Sequence, residues 1–466
     1  MVFNSFEFAV FLGVVLCGYY LAIPASALRG RRLWLLGASY FFYASWSPPF
    51  ALLLLFSTLL DYSVGLLLER STGRVVRRLL LGVSLLGNLG LLGTFKYGGL
   101  LIETYVSVTP AAWWPGGAPH LNVLLPVGIS FYTFQTISYA IDVYRREQPA
   151  CRSLVDFSLY VSFFPQLVAG PIVRAHDFIP QLGSKRVVHA RHIEESLAAI
   201  AIGLVKKVVL ADNLAPYVDQ VFAAPAAAHV GDALLAIYAF AFQIYFDFSG
   251  YSDIAIGTAG LLGFWLPENF DRPYVSASPR EFWRRWHISL STWLRDYLYI
   301  SLGGGRRREH RVRANLLITM LLGGLWHGAA WTFLLWGGFH GALLVAQRLW
   351  TARFPEAYRP PRFLLQIVTF HLVCLGWLLF RAPDFATVGS MLAAFGRPGI
   401  VSSIDALRTV MLVLLAAGLH AIDEPLRLRR RIAGLAPAAQ GFAYAGLALL
   451  LYVFGVSSQQ FIYFQF

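Results

Sequence analysis

Charged side chains are scarce in this chain. Of its 466 residues only 14% are Asp, Glu, Lys or Arg, against about a quarter in soluble domains, while 57% are hydrophobic and 15% aromatic. That balance excludes a water-soluble fold. Cysteine is scarce too: Cys17, Cys151 and Cys374 lie far apart with no Cys-x-x-Cys spacing. This removes a disulfide framework and a thiolate metal site, and leaves the three as small apolar fillers. No Gly-x-Ser-x-Gly elbow, Walker A loop, dinucleotide fingerprint or His-Glu-x-x-His helix occurs, so the chemistries those motifs serve lack their residues. Neither a bound cofactor nor a metal is expected. Internal repeats and low-complexity tracts are also missing, and apolar runs leave no room for a soluble module, so residues 1–466 read as a single membrane-embedded domain.

What is present is a series of apolar runs. A helix needs about 20 apolar residues to cross roughly 30 Å of hydrocarbon. Candidate runs lie near 6–24, 33–46, 51–68, 79–95, 121–143, 154–173, 197–222, 233–246, 252–266, 314–347, 364–381, 407–421 and 441–457. This predicts an all-α, multi-pass integral membrane protein. The net charge of +13 falls in short Lys and Arg clusters between the runs rather than on one face, the signature of positive-inside topology and not of a nucleic-acid partner. Membrane lipids are the expected surroundings. Arg29, Arg31 and Arg32 follow the first run, and Arg70, Arg74, Arg77 and Arg78 follow the third. Placing both clusters in the cytoplasm puts the N-terminus outside. The run from Phe6 to Ile23 with Ala25-Ser26-Ala27 after it imitates a signal peptide, but the first 20 residues hold no Lys or Arg, so it is expected to remain as the first span. Three stretches, 126–144, 164–173 and 243–260, are too polar or too rich in glycine to face lipid all round. They must pack against protein or line a water-filled cavity.

Two stretches carry chemistry. The first runs from Ser278 to Tyr297 and opens with Ser278, Pro279 and Glu281 in the arrangement of a capping box. At helical spacing Phe282, Trp286, Leu290, Trp293 and Tyr297 share one face, while Arg284, His287, Ser291 and Arg295 share the other. A continuous amphipathic helix is expected. It either lies in the membrane interface or turns its basic face into a funnel open to the cytoplasm, where arginines would attract the phosphates of an activated acyl donor or an acidic carrier protein.

The second stretch is the run of 34 residues without formal charge between Arg313 and Arg348. As one helix it would measure about 51 Å, so it must break, and Gly323-Gly324 and Gly337-Gly338 are the expected break points. His327 lies about 21 Å along that helix from its charged end. An ionisable residue so deep is either a functional group or a neutral histidine hydrogen-bonded between helices. His340 and His371, each alone, read as structural. A neutral imidazole suits acyl transfer because it accepts the proton of an attacking hydroxyl near neutral pH, and a dry tunnel protects the acyl donor from hydrolysis.

The blocks RRWHISLSTWLRDYLYISLGG and LLGGLWHGAAWTFLLWGGFHG resemble the signature blocks of the membrane-bound O-acyltransferase family. The likeness continues through PVGISFYTFQTISYAIDVYR, FFPQLVAGPIVR, FDFSGYSDIAIGTAGLLGFWLPENFDRPY and FHLVCLGWLLFRAPDF. Within that family the chain looks most like the bacterial alginate O-acetylation branch. The resemblance implies a helical bundle with re-entrant or broken helices around a central tunnel, and an inner-membrane location, so that the N-terminus placed outside by the basic loops faces the periplasm. It makes His327, in the Trp-His-Gly block, and His287, in the Arg-Trp-His block, the catalytic residues. The expected substrate-binding set is Arg284, Arg295, Ser291, Trp326 and Trp331. It implies a cytoplasmic acyl thioester such as acetyl-CoA as donor, an exported polysaccharide such as alginate as acceptor, and periplasmic acetyltransferase-like partners. Three other readings stay open at this stage: D-alanyl transfer to teichoic acid, a polysaccharide or small-molecule transporter with His327 in a proton relay, and a non-catalytic scaffold for export.

Overall fold

The computed structural model describes residues 1–110, 113, 124–168, 170–184, 188–354, 360–399, 404–422, 425–455, 461 and 462, with the side chains of 425 and 426 excepted. Every regular element among them is a helix. Six are long and apolar enough to cross a bilayer: Pro48–Arg70, Arg74–Val108, Val230–Leu261, Arg362–Arg381, Ile404–Ile422 and Pro437–Phe454. The fold is all-α and belongs in a membrane.

Several expected spans take other forms. The runs at 233–246 and 252–266 merge into the single helix Val230–Leu261, because Asp247 between them and Ser252 and Asp253 at the start of the second are paired inside the protein instead of marking a loop. The run at 79–95 continues through a π-helical turn, Gly93–Tyr97, into Gly98–Val108. The run at 154–173 divides into Leu154–Ser162 and the single turn Phe164–Leu167. The first apolar helix, Phe6–Ala22, falls short of spanning length. Residues 121–123, 169, 456 and 457 of the expected runs lie outside the described residues. Of the three cysteines only Cys374 is buried, and Cys17 is exposed.

The chain divides into two compact units, Met1–His189 with Thr258–Leu266, and Ala190–Gly257 with Pro267–Phe466. In the first, Pro48–Arg70, Arg74–Leu92 and Ile129–Arg145 meet at a buried polar cluster. Asn88 Nδ2 donates to Asp61 Oδ2 at 2.6 Å, Ser84 donates to the other carboxylate oxygen, and Ser57 and Thr136 donate to Asn88 Oδ1. Such bonds join helices where lipid supplies no alternative partner.

The second unit is organised by two close helix approaches. The continuous helical stretch 190–223 passes Val230–Leu261 at Gly203 and Gly250, where a Cβ on either glycine would lie 2.5–2.7 Å from the other's carbonyl oxygen. Only glycine admits that contact. It brings the π-helical turn Val205–Ala211, with Lys206 and Lys207, against the acidic positions of the neighbouring helix. Lys207 Nζ lies 2.8 Å from Asp247 and 2.7 Å from Asp212, and Lys206 Nζ lies 2.9 Å from Asp253. Arg429, from the helix Pro425–Ala433, pairs with Asp253 and, at 2.6 Å, with Glu268. Buried charges persist only when paired in this way, and removing one partner costs about 3–5 kcal/mol.

The second approach is a helical hairpin, Glu309–His327 followed by Trp331–Arg353. The long run does break, but at Gly328–Ala330, immediately after His327, and not at the glycine pairs. One glycine of each pair, Gly324 and Gly337, sits where the two helices touch. A Cβ on Gly324 would strike the Phe333 carbonyl, and one on Gly337 would strike the Met320 carbonyl. The glycine content that signals a break in the sequence serves close backbone packing instead, and the turn falls where Gly328 and Ala330 are extended.

Candidate active site

All the expected site residues fall within the second unit. The stretch after Ser278 starts as expected: the Ser278 hydroxyl accepts the Glu281 N–H at 3.2 Å, and the Glu281 carboxylate accepts the Ala277 N–H at 2.9 Å. It then departs from a continuous helix. Pro279–Arg285 ends at an extended Trp286, His287 takes a left-handed conformation with φ 42°, and helix resumes over Ile288–Trp293 before a π-helical turn, Leu294–Tyr299. Positive φ is uncommon outside glycine and is held by surrounding structure. Here that structure is the loop after Val230–Leu261: the Ile288 N–H donates to the Asn269 carbonyl at 2.9 Å and the Asp271 N–H to the Arg285 carbonyl at 3.0 Å.

The break separates residues that helical spacing had grouped. Phe282, Trp286, Leu290, Trp293 and Tyr297 are all buried. Arg284, Ser291 and Arg295 line a cavity of about 850 Å³, together with Arg280, Trp283 and Arg348. His287 is turned away from them and is fully buried. Its Nδ1 lies 3.1 Å from Asn269 Oδ1, which also accepts the Ser289 N–H at 3.2 Å and the Ser289 hydroxyl at 2.9 Å. Because that oxygen is an acceptor, His287 donates from Nδ1, and Nε2 is the basic nitrogen of the ring. Burial pushes the imidazole down to about 3, so it is neutral.

His327 ends the helix Glu309–His327 and is 4% exposed. Trp326, Trp336 and Phe380 surround it edge-on, with ring centroids at 5.0, 5.0 and 5.3 Å. The Trp326 indole also meets the His287 ring, at 5.8 Å, and Phe248 packs on His287 from another side at 4.7 Å. Trp326 is therefore bracketed by the two imidazoles, and their separation is bounded by the sum of the two centroid distances. Trp331, half exposed at the start of its helix, belongs to neither group.

Two residues connect the cavity with the histidines. Trp283 lines the cavity and packs on Trp336 at 5.7 Å, and Ile288, the residue after His287, also lines it. The cavity's arginines are not equivalent. Arg295 is engaged by Asp296 at 2.6 and 3.1 Å and Arg348 by Glu309 at 2.9 and 2.6 Å. Arg280 and Arg284 make no ion pair among the described residues. Their charge is the part of the wall left for an anion. Among the described residues no group of three His, Cys, Asp or Glu could hold a metal ion.

Glu281 carries a pH dependence. Burial pushes its carboxyl up, but the Ala277 N–H and the Arg362 and Arg285 guanidiniums outweigh that and hold it below its ordinary value of 4.5. A depressed folded value means the stabilisation is complete above pH 4.5 and is lost as pH falls through the folded value. Thermal unfolding in nanodiscs is expected to show a drop in midpoint below pH 4.5 that Glu281→Gln reduces. An unchanged acid profile in the variant would remove Glu281 from that dependence.

Asn269 was within reach of the sequence but not singled out there. Its signal is a polar side chain in Pro267-Glu268-Asn269-Phe270-Asp271, between an apolar run and the Arg-Trp-His block. Lys206 and Lys207 had a clearer signal: two lysines inside an apolar run require buried counter-ions, and Asp247 and Asp253 in the next run supply them.

Comparison with known proteins agrees with the two blocks. The model of the membrane-bound O-acyltransferase family matches residues 145–382. A protein of Azotobacter vinelandii named probable alginate O-acetylase is 46% identical over 401 residues, covering 84% of this chain and 78% of the relative. The peptidoglycan O-acetyltransferase of Helicobacter pylori is 38% identical over 414 residues, 82% of this chain and 77% of that one. The teichoic acid D-alanyltransferase of Bacillus subtilis is 29% identical over 290 residues, 58% of this chain and 72% of the relative. With its family model matched over half its length and both histidine blocks inside the match, this chain belongs to the membrane-bound O-acyltransferase family and is an O-acyltransferase.

Proposed function

We propose that the protein moves an acetyl group from a thioester donor such as acetyl-CoA toward hydroxyls of an exported polysaccharide, in the inner membrane of a bacterium with its N-terminus on the periplasmic side. The observation that carries this reading is the neighbourhood of His327: a buried imidazole at a helix break, one indole away from His287 and one Trp–Trp contact away from an arginine-lined cavity. The acceptor class follows the relatives named for alginate and peptidoglycan acetylation.

In this mechanism Arg280 and Arg284 hold the donor's phosphates, with Ser291 and Arg295 beside them in the cavity wall. The acceptor oxygen attacks the thioester carbonyl carbon as its proton passes to the His327 imidazole. When the tetrahedral intermediate collapses, the carbon–sulfur bond breaks and the imidazolium returns the proton to the departing thiolate. The new bond is the ester, and the products are acyl acceptor and free thiol. His287, a neutral imidazole with a basic Nε2, assists, and the aromatic walls exclude water that would hydrolyse the donor. Periplasmic acetyltransferase-like partners receive the acetyl group and complete transfer to the polymer.

The test uses purified protein in nanodiscs with radiolabelled acetyl-CoA. Arg284→Glu is expected to raise the donor KM about tenfold or more, while Arg295→Gln does less because Asp296 already engages that guanidinium. S-acetyl-pantetheine, which lacks the phosphates, should be indifferent to both changes. An unaltered KM for acetyl-CoA in Arg284→Glu would sink the donor assignment. D-alanyl transfer rests on lower identity over less of the chain, and faster turnover of a D-alanyl thioester in the same assay would favour it.

A further inference from the structure

We infer that Arg429 is a positioning residue for His287. It acts from 142 positions along the chain, through the loop that fixes the histidine's tautomer. The route is short in space. Asn269 receives His287 Nδ1 and reaches back with Nδ2 to Ser252 Oγ at 3.3 Å, which ties the loop to the helix Val230–Leu261. The residues next to these two in sequence, Glu268 and Asp253, are both gripped by Arg429. Its Nη1 donates to Glu268 Oε1 at 2.6 Å, and its Nη2 donates to Glu268 Oε2 at 3.3 Å and to Asp253.

One planar guanidinium therefore repeats, one residue along, the connection that Asn269 makes with Ser252. A lysine could supply the charge but not the fork that meets both carboxylates at fixed angles. Asp253 is held from its other side by Lys206, so Arg429 and Asp253 form a firm base to which Glu268 is attached. If Glu268 shifts, Asn269 shifts with it. The oxygen that accepts from His287 and from Ser289 then loses its place, and with it the preference for a proton on Nδ1.

The inference rests on the proposed function only in giving His287 a part in transfer; the geometric claim has its own readout. Protein labelled with ¹⁵N-imidazole histidine is reconstituted in nanodiscs, and the His287 signals are identified by their loss in His287→Gln. Wild type should show one tautomer, with a protonated Nδ1 and an unprotonated Nε2. Arg429→Lys, and to a smaller degree Glu268→Gln, should show a mixture of both tautomers. The rate of acetyl transfer should fall about tenfold in Arg429→Lys without a matching rise in donor KM.

A single unchanged tautomer in either folded variant would overturn the inference. Should Arg429→Lys fail to accumulate in the membrane, Glu268→Gln decides alone, since its amide is isosteric and leaves Arg429 paired with Asp253. If wild type transfers no acetyl group, the proposed function fails, while the tautomer comparison still decides the positioning role.

Discussion

Replacing His327 with alanine removes acyl transfer, with the acetyl content of the exported polysaccharide falling by about 10²–10⁴-fold, the span expected for loss of a general acid–base group. The comparison needs equal amounts of wild-type and variant protein in the membrane. Part of the surrounding packing does not depend on the imidazole: Trp336 and Phe380 keep their mutual contact at 5.3 Å, and Trp326 keeps its contact with His287. Loss of acetyl groups with normal export of polymer supports the mechanism. Unchanged acetyl content would take His327 out of it. Loss of the polymer itself would point to transport or assembly.

Gly337→Val prevents the hairpin from closing. The added side chain meets the Met320 carbonyl and lies 3.1 Å from Leu321 Cα, both backbone atoms that cannot swing aside. Overpacking against side chains costs about 1–3 kcal/mol, and a clash with backbone exceeds that range. The expected outcome is a protein that unfolds at least about 10 °C earlier or is degraded, with activity lost in proportion to folded protein. Gly338→Val is the control, because a Cβ there meets only Leu321 Cδ2 at 3.4 Å. Equal melting of the two variants would show that the hairpin tolerates a wider spacing than the structure has.

The elements legible in the sequence were those specified by local signals. Ser278, Pro279 and Glu281 mark a helix start that depends on neighbours a few residues away, and Arg284, Ser291 and Arg295 reach the same cavity from the two sides of the interruption. His287 did not follow that period. The force that turns it inward comes from Asn269, which lies 18 positions away and cannot be seen in helical spacing. The glycine pairs were misread for a related reason. A glycine that permits a bend and a glycine that permits close contact look alike until the partner helix is known, and the partner at Gly324 and Gly337 is the other arm of the same run. Arg429 was hidden most thoroughly: among the arginines of its short basic helix it is the buried one, while Arg427, Arg430 and Arg431 are exposed.

The paired lysines and aspartates of the second unit also bear on biogenesis. A helix carrying Lys206 and Lys207, released alone into lipid, would bear a penalty of about 2.5–3.5 kcal/mol for each charge near its centre, and so would a helix carrying Asp247 and Asp253. The two segments are consecutive in the chain, and Lys206 is paired with Asp253 and Lys207 with Asp247 of the second, Lys207 also with Asp212 of its own. Entry into the bilayer therefore costs least when the two segments enter together, with these ion pairs already formed.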